Sequence, residues 1–367
     1  MRLCLIGNPN IAHIQRWTRD FLNLGWEVHL IGEHSTSKPL PKGCIFYDLT
    51  KQTNIRKFRY LAWAVAIRRL VKQIQPHIVH SLGITSAGWL GAAGGRKPFI
   101  VSALGSDLML LHERSYFHRL LSRWTMQQAD YVICVSQPLF IKAGEYGVDV
   151  SKREVVYMGV DTKIFAPVEN REKLRRQLHL PDGPMVLSIR ALNPVYHPLD
   201  LARAIPGVLQ QAPGAKFAIF TYNAQAGLVE QFKQIVAQSG ADDSVTFIPP
   251  LDDDRIIASY FQAADVAVSI PASDGMPVSV LEAMGCKCAL VTTDLPNLKE
   301  WITHEKEGLL IPVGDSRALE DALVRLLSDA DLRSKLQANA ARRIQEQGSR
   351  QASIQRCIEI YTQSGHW

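Results

Sequence analysis

Short apolar runs recur through the first half of the chain, at residues 3–6, 28–31, 77–80, 99–101, 131–135 and 154–157, with longer amphipathic stretches between them. Such alternation of a strand-length run with a helix-length segment predicts parallel strands joined by helices. The second half repeats the rhythm at residues 186–189, 216–220, 245–247, 266–269, 288–291 and 308–311. Two doubly wound α/β sheets are therefore expected. The stretches 318–327 and 329–363 have helical spacing and good helix formers, so the chain should end in helices packed on the outside. Segment 158–167, which carries Gly159 and is closed by Pro167, follows the sixth run and marks a domain boundary. The expected division is a first domain over residues 1–165, a second over 166–345, and a terminal helix over 346–367 that packs back toward the first.

Length agrees, since 367 residues suggest about two domains. With 47% hydrophobic and 21% charged residues and no low-complexity tract, the composition is that of a soluble globular protein. No apolar stretch reaches the ~18 residues needed to span a bilayer, and the opening residues read as a first strand, not a signal segment. Six scattered cysteines read as reduced core thiols; Cys286 and Cys288 have no second pair nearby to complete a zinc site, so no metal is expected. The net charge of +6 conceals an asymmetry, because residues 1–165 hold 21 Lys/Arg against 11 Asp/Glu and the remainder 20 against 24. No RNA- or DNA-binding module accompanies these cations, so no nucleic-acid partner is expected.

The most informative segment is 264–285. A buried run leads into the polar turn Ser273, Asp274, Gly275, and a helix is predicted from near Pro277, where a proline is tolerated in the first turn. Glu282 falls eight residues after Asp274, about two turns into that helix. Between them a helix N-terminus offers backbone N–H groups suited to a diphosphate, and the carboxylates can accept hydrogen bonds from sugar and ribose hydroxyls. A plainer reading stays open at this point, with Asp274 capping the helix and Glu282 a solvated helix residue.

This segment resembles the acidic motif of the retaining family-four glycosyltransferases, two Glu separated by seven residues and followed by Ala-Met, with Asp274 in place of the first Glu. Similarity continues through residues 264–266, 288–294, the Glu300 segment and 307–315. The resemblance implies a GT-B fold of two doubly wound, Rossmann-like parallel-sheet domains facing an interdomain cleft, the first on the acceptor side and the second binding the sugar nucleotide. It implies that Glu282 holds the ribose hydroxyls and that Asp274 contacts the donor sugar. Gly275, Met276, Pro277 and Val278 would line the donor site, their backbone N–H groups, Pro277 excepted, cradling phosphate or sugar oxygens.

Arg190 follows the first strand of the second domain, where a guanidinium can pair with the leaving diphosphate. An ordinary ion-pair role is the alternative. The family usually adds a lysine five residues later, and this chain has Val195 there. Tyr196 and His197 can donate hydrogen bonds to phosphate in its stead, without a permanent charge. In the first domain, Gly7 and Asn8 turn toward a helix bearing His13, similar to the family's first glycine loop; core packing is the alternative. Ser106 and Asp107 stand in a loop that looks like the family's His-Gly-Ser-Asp loop, with Leu104 at the His position; loop capping competes with a cleft role. The stretches 54–75 and 114–124 interleave Arg and Lys with aromatic and aliphatic residues, which suits either an anionic lipid surface or helices that bury one side and solvate their cations.

The resulting expectation is a retaining, metal-independent glycosyltransferase without a cofactor. Its partners would be a nucleoside-diphosphate sugar donor, a glycan or lipid-linked acceptor, and an anionic membrane surface, with the protein cytoplasmic or peripheral at the membrane's cytoplasmic face. Asp274, Arg190 and Glu282 would carry the reaction. The alternatives are a non-catalytic GT-B protein that binds a sugar nucleotide, a glycan or a partner enzyme, and a GT-B sugar-nucleotide epimerase.

Overall fold

A computed structural model describes residues 1–52, 59–111 and 115–364. The chain divides into two compact units, one formed by Met1–Tyr157 with Ala352–Trp367 and the other by Met158–Gln351.

The first unit holds seven strands, β1 (Arg2–Ile6), β2 (Glu27–Gly32), β3 (Ile45–Asp48), β4 (Ile78–Leu82), β5 (Phe99–Ala103), β6 (Tyr131–Cys134) and β7 (Arg153–Val155). They form one parallel sheet in the order β3-β2-β1-β4-β5-β6-β7. The central strands β1, β4 and β5 are buried almost throughout, which explains why they read as continuous apolar runs. β3 escapes the sequence pattern. It is an edge strand of four residues, none of them buried, and it is reached from β2 without an intervening helix.

Six strands make the sheet of the second unit: β8 (Met185–Ser188), β9 (Lys216–Phe220), β10 (Val245–Ile248), β11 (Val266–Ser269), β12 (Ala289–Thr293) and β13 (Leu309–Ile311). All pair in parallel in the order β10-β9-β8-β11-β12-β13. The strand order reverses between β8 and β11, the place where a parallel sheet opens a crevice beyond its carboxyl ends.

The units divide eight residues before the boundary expected at residue 165. Val160 belongs with the second unit because its N–H donates to Gly348 O at 2.8 Å and its carbonyl accepts from Arg350 N at 3.0 Å. Gly159, at φ +65°, brings the chain so close to Arg350 that a Cβ would lie 2.6 Å from its backbone. Phe165 then packs edge-on against Phe261, 5.9 Å between centroids.

Three helices end the chain, Ser316–Ser328, Ala330–Gln347 and Arg350–Ser364. Asp315 and Asp329 start the first two by accepting from Ala318 N and Leu332 N. Most of the third belongs to the first unit. Its Cys357, Ile360 and Tyr361 are fully buried, with Tyr361 stacked on Phe21. The Tyr361 hydroxyl lies 2.5 Å from His80 Nδ1, and the other ring nitrogen of His80 lies 2.7 Å from Ser102 Oγ. His80 on β4 and Ser102 on β5 are fully buried, so this chain of polar contacts satisfies groups that water cannot reach.

Of the basic stretches, residues 53–58 and Arg114 lie outside the described residues. The described part of the first is a helix, Arg59–Ile74, that buries Trp63, Ile67, Val71 and Ile74. The second is the helix Tyr116–Gln128. No described helix is long and apolar enough to cross a membrane.

Candidate active site

β8 and β11 run side by side with Val186 opposite Val266 and Val268 opposite Ser188. Ile189 N donates to Val268 O at 3.2 Å and prolongs this pairing by one residue, which places Arg190 at the carboxyl end. The loop after β11 is fixed from two sides. Thr292 Oγ1 and Thr293 Oγ1 on β12 donate to Ser269 O and Pro271 O, at 2.5 and 2.7 Å. Ala272 N donates to Val195 O at 2.7 Å, tying the loop to the single helical turn Pro194–Tyr196. The loop then closes through Met276, whose sulfur accepts from Met158 N, into the helix Val278–Gly285 capped by Pro277.

Arg190 and Asp274 meet in this corner, Nη2 to Oδ2 at 2.9 Å, with side chains only 12% and 10% exposed. Asp274 Oδ1 accepts from Gly275 N at 2.8 Å. Arg190 Nη1 donates to Ser279 Oγ at 3.1 Å, and the guanidinium lies 4.1 Å from the centroid of the Tyr196 ring. Burial works against its charge, but the Asp274 carboxylate, then Tyr196 and Tyr222, outweigh that and hold its pKa above the usual value. Arg190 Nε is buried without a hydrogen-bond partner among the described residues, so the guanidinium retains an unused donor. A cavity of about 10 Å³ lies beside it between Ser188, Tyr196, Pro198 and Val268. That is room for about one water.

Glu282 is 4% exposed, which removes the reading of it as a solvated helix residue. Asp274 does not cap the helix either, since its carboxylate turns to Gly275 N and Arg190. Gly275 and Met276 are buried beside it, and Val278 begins the helix. His197 takes a left-handed backbone, φ +47°, and its Nδ1 lies 2.9 Å from Asp200 Oδ2. Its ring is thereby fixed to the first turn of the following helix.

Tyr222, like Ser279, is a member of this corner that the sequence analysis did not single out. It follows β9, and its hydroxyl donates to Ile189 O at 3.2 Å, bracing the backbone just before Arg190. Burial raises its phenol pKa, and Tyr196, Glu282 and Asp274 add to that against the charge of Arg190. The available signal was its position two residues beyond a strand of the same sheet, at the same end as Arg190 and Asp274.

The expected residues of the first unit form separate structures. A Cβ on Gly7 would stand 2.8 Å from Ile14 Cδ1, so glycine lets the helix Ala12–Asn23 close over the end of β1. Asn8 Oδ1 accepts from Asn10 N and shapes the turn between them. His13 has its Nε2 buried without a hydrogen-bond partner among the described residues; burial, then the charge of Arg16, lowers its pKa to about 4 and leaves it neutral at pH 7. Asp107 is a loop organiser: its carboxylate accepts from Ile84 N, Leu104 N and Gly105 N, joining the turns after β4 and β5. Burial raises its pKa while these bonds oppose that. This engagement favours the capping role over direct contact with a ligand, and leaves Ser106 as the exposed polar group of that loop.

The six cysteines are free, five of them buried. Among the described residues, no three His, Cys, Asp or Glu side chains come together as a metal site.

Comparison with known proteins agrees with this architecture. Residues 170–343 match the model of glycosyl transferases group 1, and residues 2–136 that of glycosyl transferase 4-like proteins. A D-inositol 3-phosphate glycosyltransferase of Acidothermus cellulolyticus is 30% identical over 198 residues, 52% of this chain and 44% of that protein. The one of Kineococcus radiotolerans is 29% identical over 232 residues, 59% of this chain and 53% of its own. The chain thus spans about half the length of the curated relatives it matches. Among solved structures, sucrose-phosphate synthase from Thermosynechococcus elongatus superposes with a TM-score of 0.82 at 19% identity, over 99% of this chain and 98% of that one. HepE of Anabaena in complex with UDP-glucose gives 0.82 at 17% identity, over 99% and 100%. Two doubly wound parallel sheets, each with its own switch point, are the GT-B arrangement; residues 170–343 carry the glycosyl transferases group 1 match and residues 2–136 the glycosyl transferase 4-like one.

Proposed function

We propose that this protein transfers a glycosyl unit from a nucleoside-diphosphate sugar to a hydroxyl of a glycan or lipid-linked acceptor, with retention at the anomeric carbon and without a metal ion. The observation that carries this reading is the buried pair of Arg190 and Asp274 at the switch point of the second sheet, with Glu282 buried on the helix that follows the Asp274 loop. The glycosyl transferases group 1 match and the UDP-glucose held by a protein of the same fold support it.

Glu282 would accept hydrogen bonds from the ribose hydroxyls. The diphosphate would compete with Asp274 for Arg190, and the carboxylate so released would turn to hydroxyls of the donor sugar. That exchange keeps Arg190 paired throughout, so no buried charge is left bare. In the transfer, the bond from the anomeric carbon to the diphosphate oxygen breaks while the bond to the acceptor oxygen forms on the same face. The acceptor proton passes to the departing phosphate. Arg190 and the N-terminus of the helix Val278–Gly285 would stabilise the charge that develops there, while Tyr196 and Tyr222 hold Arg190 in position. Asp274 and Glu282 position substrate in this scheme and transfer no proton.

The test is release of nucleoside diphosphate from UDP-, GDP- and ADP-sugars in the presence of a membrane lipid extract, with and without EDTA. Release from one donor that survives EDTA and is lost in Glu282→Ala supports the reading. The second reading, donor binding without transfer, is favoured by Val195 at the position where relatives carry a lysine and by Leu104 at the histidine position of the first unit's loop. Binding without release under every condition would establish it.

A further inference from the structure

The helix Tyr116–Gln128 is amphipathic in the inverted sense. Its buried residues are Ser122, Thr125 and Met126, whereas Tyr116, Phe117, Leu120 and Trp124 are 73%, 66%, 53% and 38% exposed. At about 100° per residue those four fall on one arc of roughly 100°. Arg119 and Arg123 border that arc along one side, and both are exposed.

The helix Arg59–Ile74, which packs like Tyr116–Gln128 against the helix Ser86–Gly94, also exposes apolar groups. Its Tyr60 and Leu61 are 37% and 68% exposed, and Arg68, Arg69 and Lys72 follow on the solvent side. Trp89 joins the two helices, its ring 5.9 Å from that of Tyr60 and 5.3 Å from that of His118. One unit thus displays two exposed apolar and aromatic strips, linked through Trp89, with arginines beside each.

Charge identifies what fits them. From Asp48 to Asp107 the sequence contains no Asp or Glu in between but nine Lys and Arg, and the helix Tyr116–Gln128 contains no acid. Among the described residues, no carboxylate pairs with Arg119 or Arg123. Exposed Tyr, Trp and Phe beside unpaired arginines is the composition of an interfacial surface, in which rings enter the headgroup layer and guanidinium groups meet lipid phosphates. A second copy of the chain fits poorly, because a two-fold contact through these strips would set arginines against arginines.

We propose that the face formed by Tyr60, Leu61, Tyr116, Phe117, Leu120 and Trp124 docks on an anionic lipid bilayer. It deepens the reading of a lipid-linked acceptor and rests on it for its purpose, but its test requires binding alone. Flotation of the full chain with phosphatidylcholine vesicles, with and without phosphatidylglycerol, measures it. Binding should require the anionic lipid and weaken as salt rises. Phe117→Ser/Leu120→Ser/Trp124→Ser and Arg119→Glu/Arg123→Glu should each reduce it by at least about tenfold with unchanged melting temperature. Equal vesicle binding by wild type and both variants would overturn the proposal. So would equal binding to neutral vesicles, or a concentration-dependent dimer that the triple substitution abolishes without any vesicle binding by the wild type. Donor binding measured on the same preparations separates the two readings: vesicle binding without nucleotide binding sinks the transferase and leaves the membrane face standing.

Discussion

The Arg190 guanidinium and the Asp274 carboxylate meet at 2.9 Å, on two segments brought together only because β8 and β11 are neighbours in the sheet. Both side chains are about nine-tenths buried, so each charge is tolerated because the other is there.

Removing one partner should therefore cost more than removing both. Arg190→Met leaves a buried carboxylate unpaired and is expected to destabilise the second unit by about 3 kcal/mol or more. Arg190→Met/Asp274→Asn should regain a large part of that loss, because the two sites are in contact and their effects do not add. Thermal melting of the two single variants and the double variant checks this.

Glu282→Gln keeps the shape of a side chain that is 4% exposed and removes its charge. If the carboxylate accepts from ribose hydroxyls, the donor KM should rise by about tenfold to a hundredfold, the worth of hydrogen bonds to a charged group. The melting temperature should stay close to that of the wild type. A variant that melts early with unchanged donor binding would point to a packing role instead.

His80 supplies a pH dependence. Complete burial lowers its pKa from 6.5 to about 3 in the folded chain. At pH values between those two, the unfolded chain binds a proton that the folded chain refuses. Stability is therefore full above about pH 6.5 and falls on acidification, by up to about 1.4 kcal/mol per pH unit for one such group. His13, lowered to about 4, acts in the same direction. Melting followed from pH 7 to pH 5 should show the decline. His80→Gln should lower the melting temperature at pH 7 and flatten the curve below it.

Thiol titration should count at most one reactive cysteine in the native protein. Cys44 is half-buried with its pKa raised by burial to about 11, whereas Cys4, Cys134 and Cys288 are buried and raised to about 12. A disulfide-exchange reagent at pH 8 should modify Cys44 slowly, and all six on denaturation.

Twelve of the thirteen described strands are legible in the sequence as apolar runs of strand length, continuous where both faces are buried, as in β1 and β12, and the terminal helices are legible from their helical spacing. β3 was not, since an exposed edge strand of four residues carries no such signature. The candidate donor corner was legible as positions, because strand ends can be read from where apolar runs stop. Its pairings were not. That Arg190 turns to Asp274, that Tyr222 braces Ile189, and that Asp107 gives its carboxylate to three backbone N–H groups all depend on strand adjacency and rotamer choice. Pattern along the chain does not encode these.

The position of Tyr361 has a consequence for how the protein comes into being. The ring that stacks on Phe21 and touches His80 arrives with the last helix, after every residue of the second unit has left the ribosome. Until that helix docks, Phe21, Trp26 and His80 of the first unit lack the ring that covers them. The first unit is thus discontinuous in sequence, and its last contacts close only where the chain has passed through the whole of the second unit and returned.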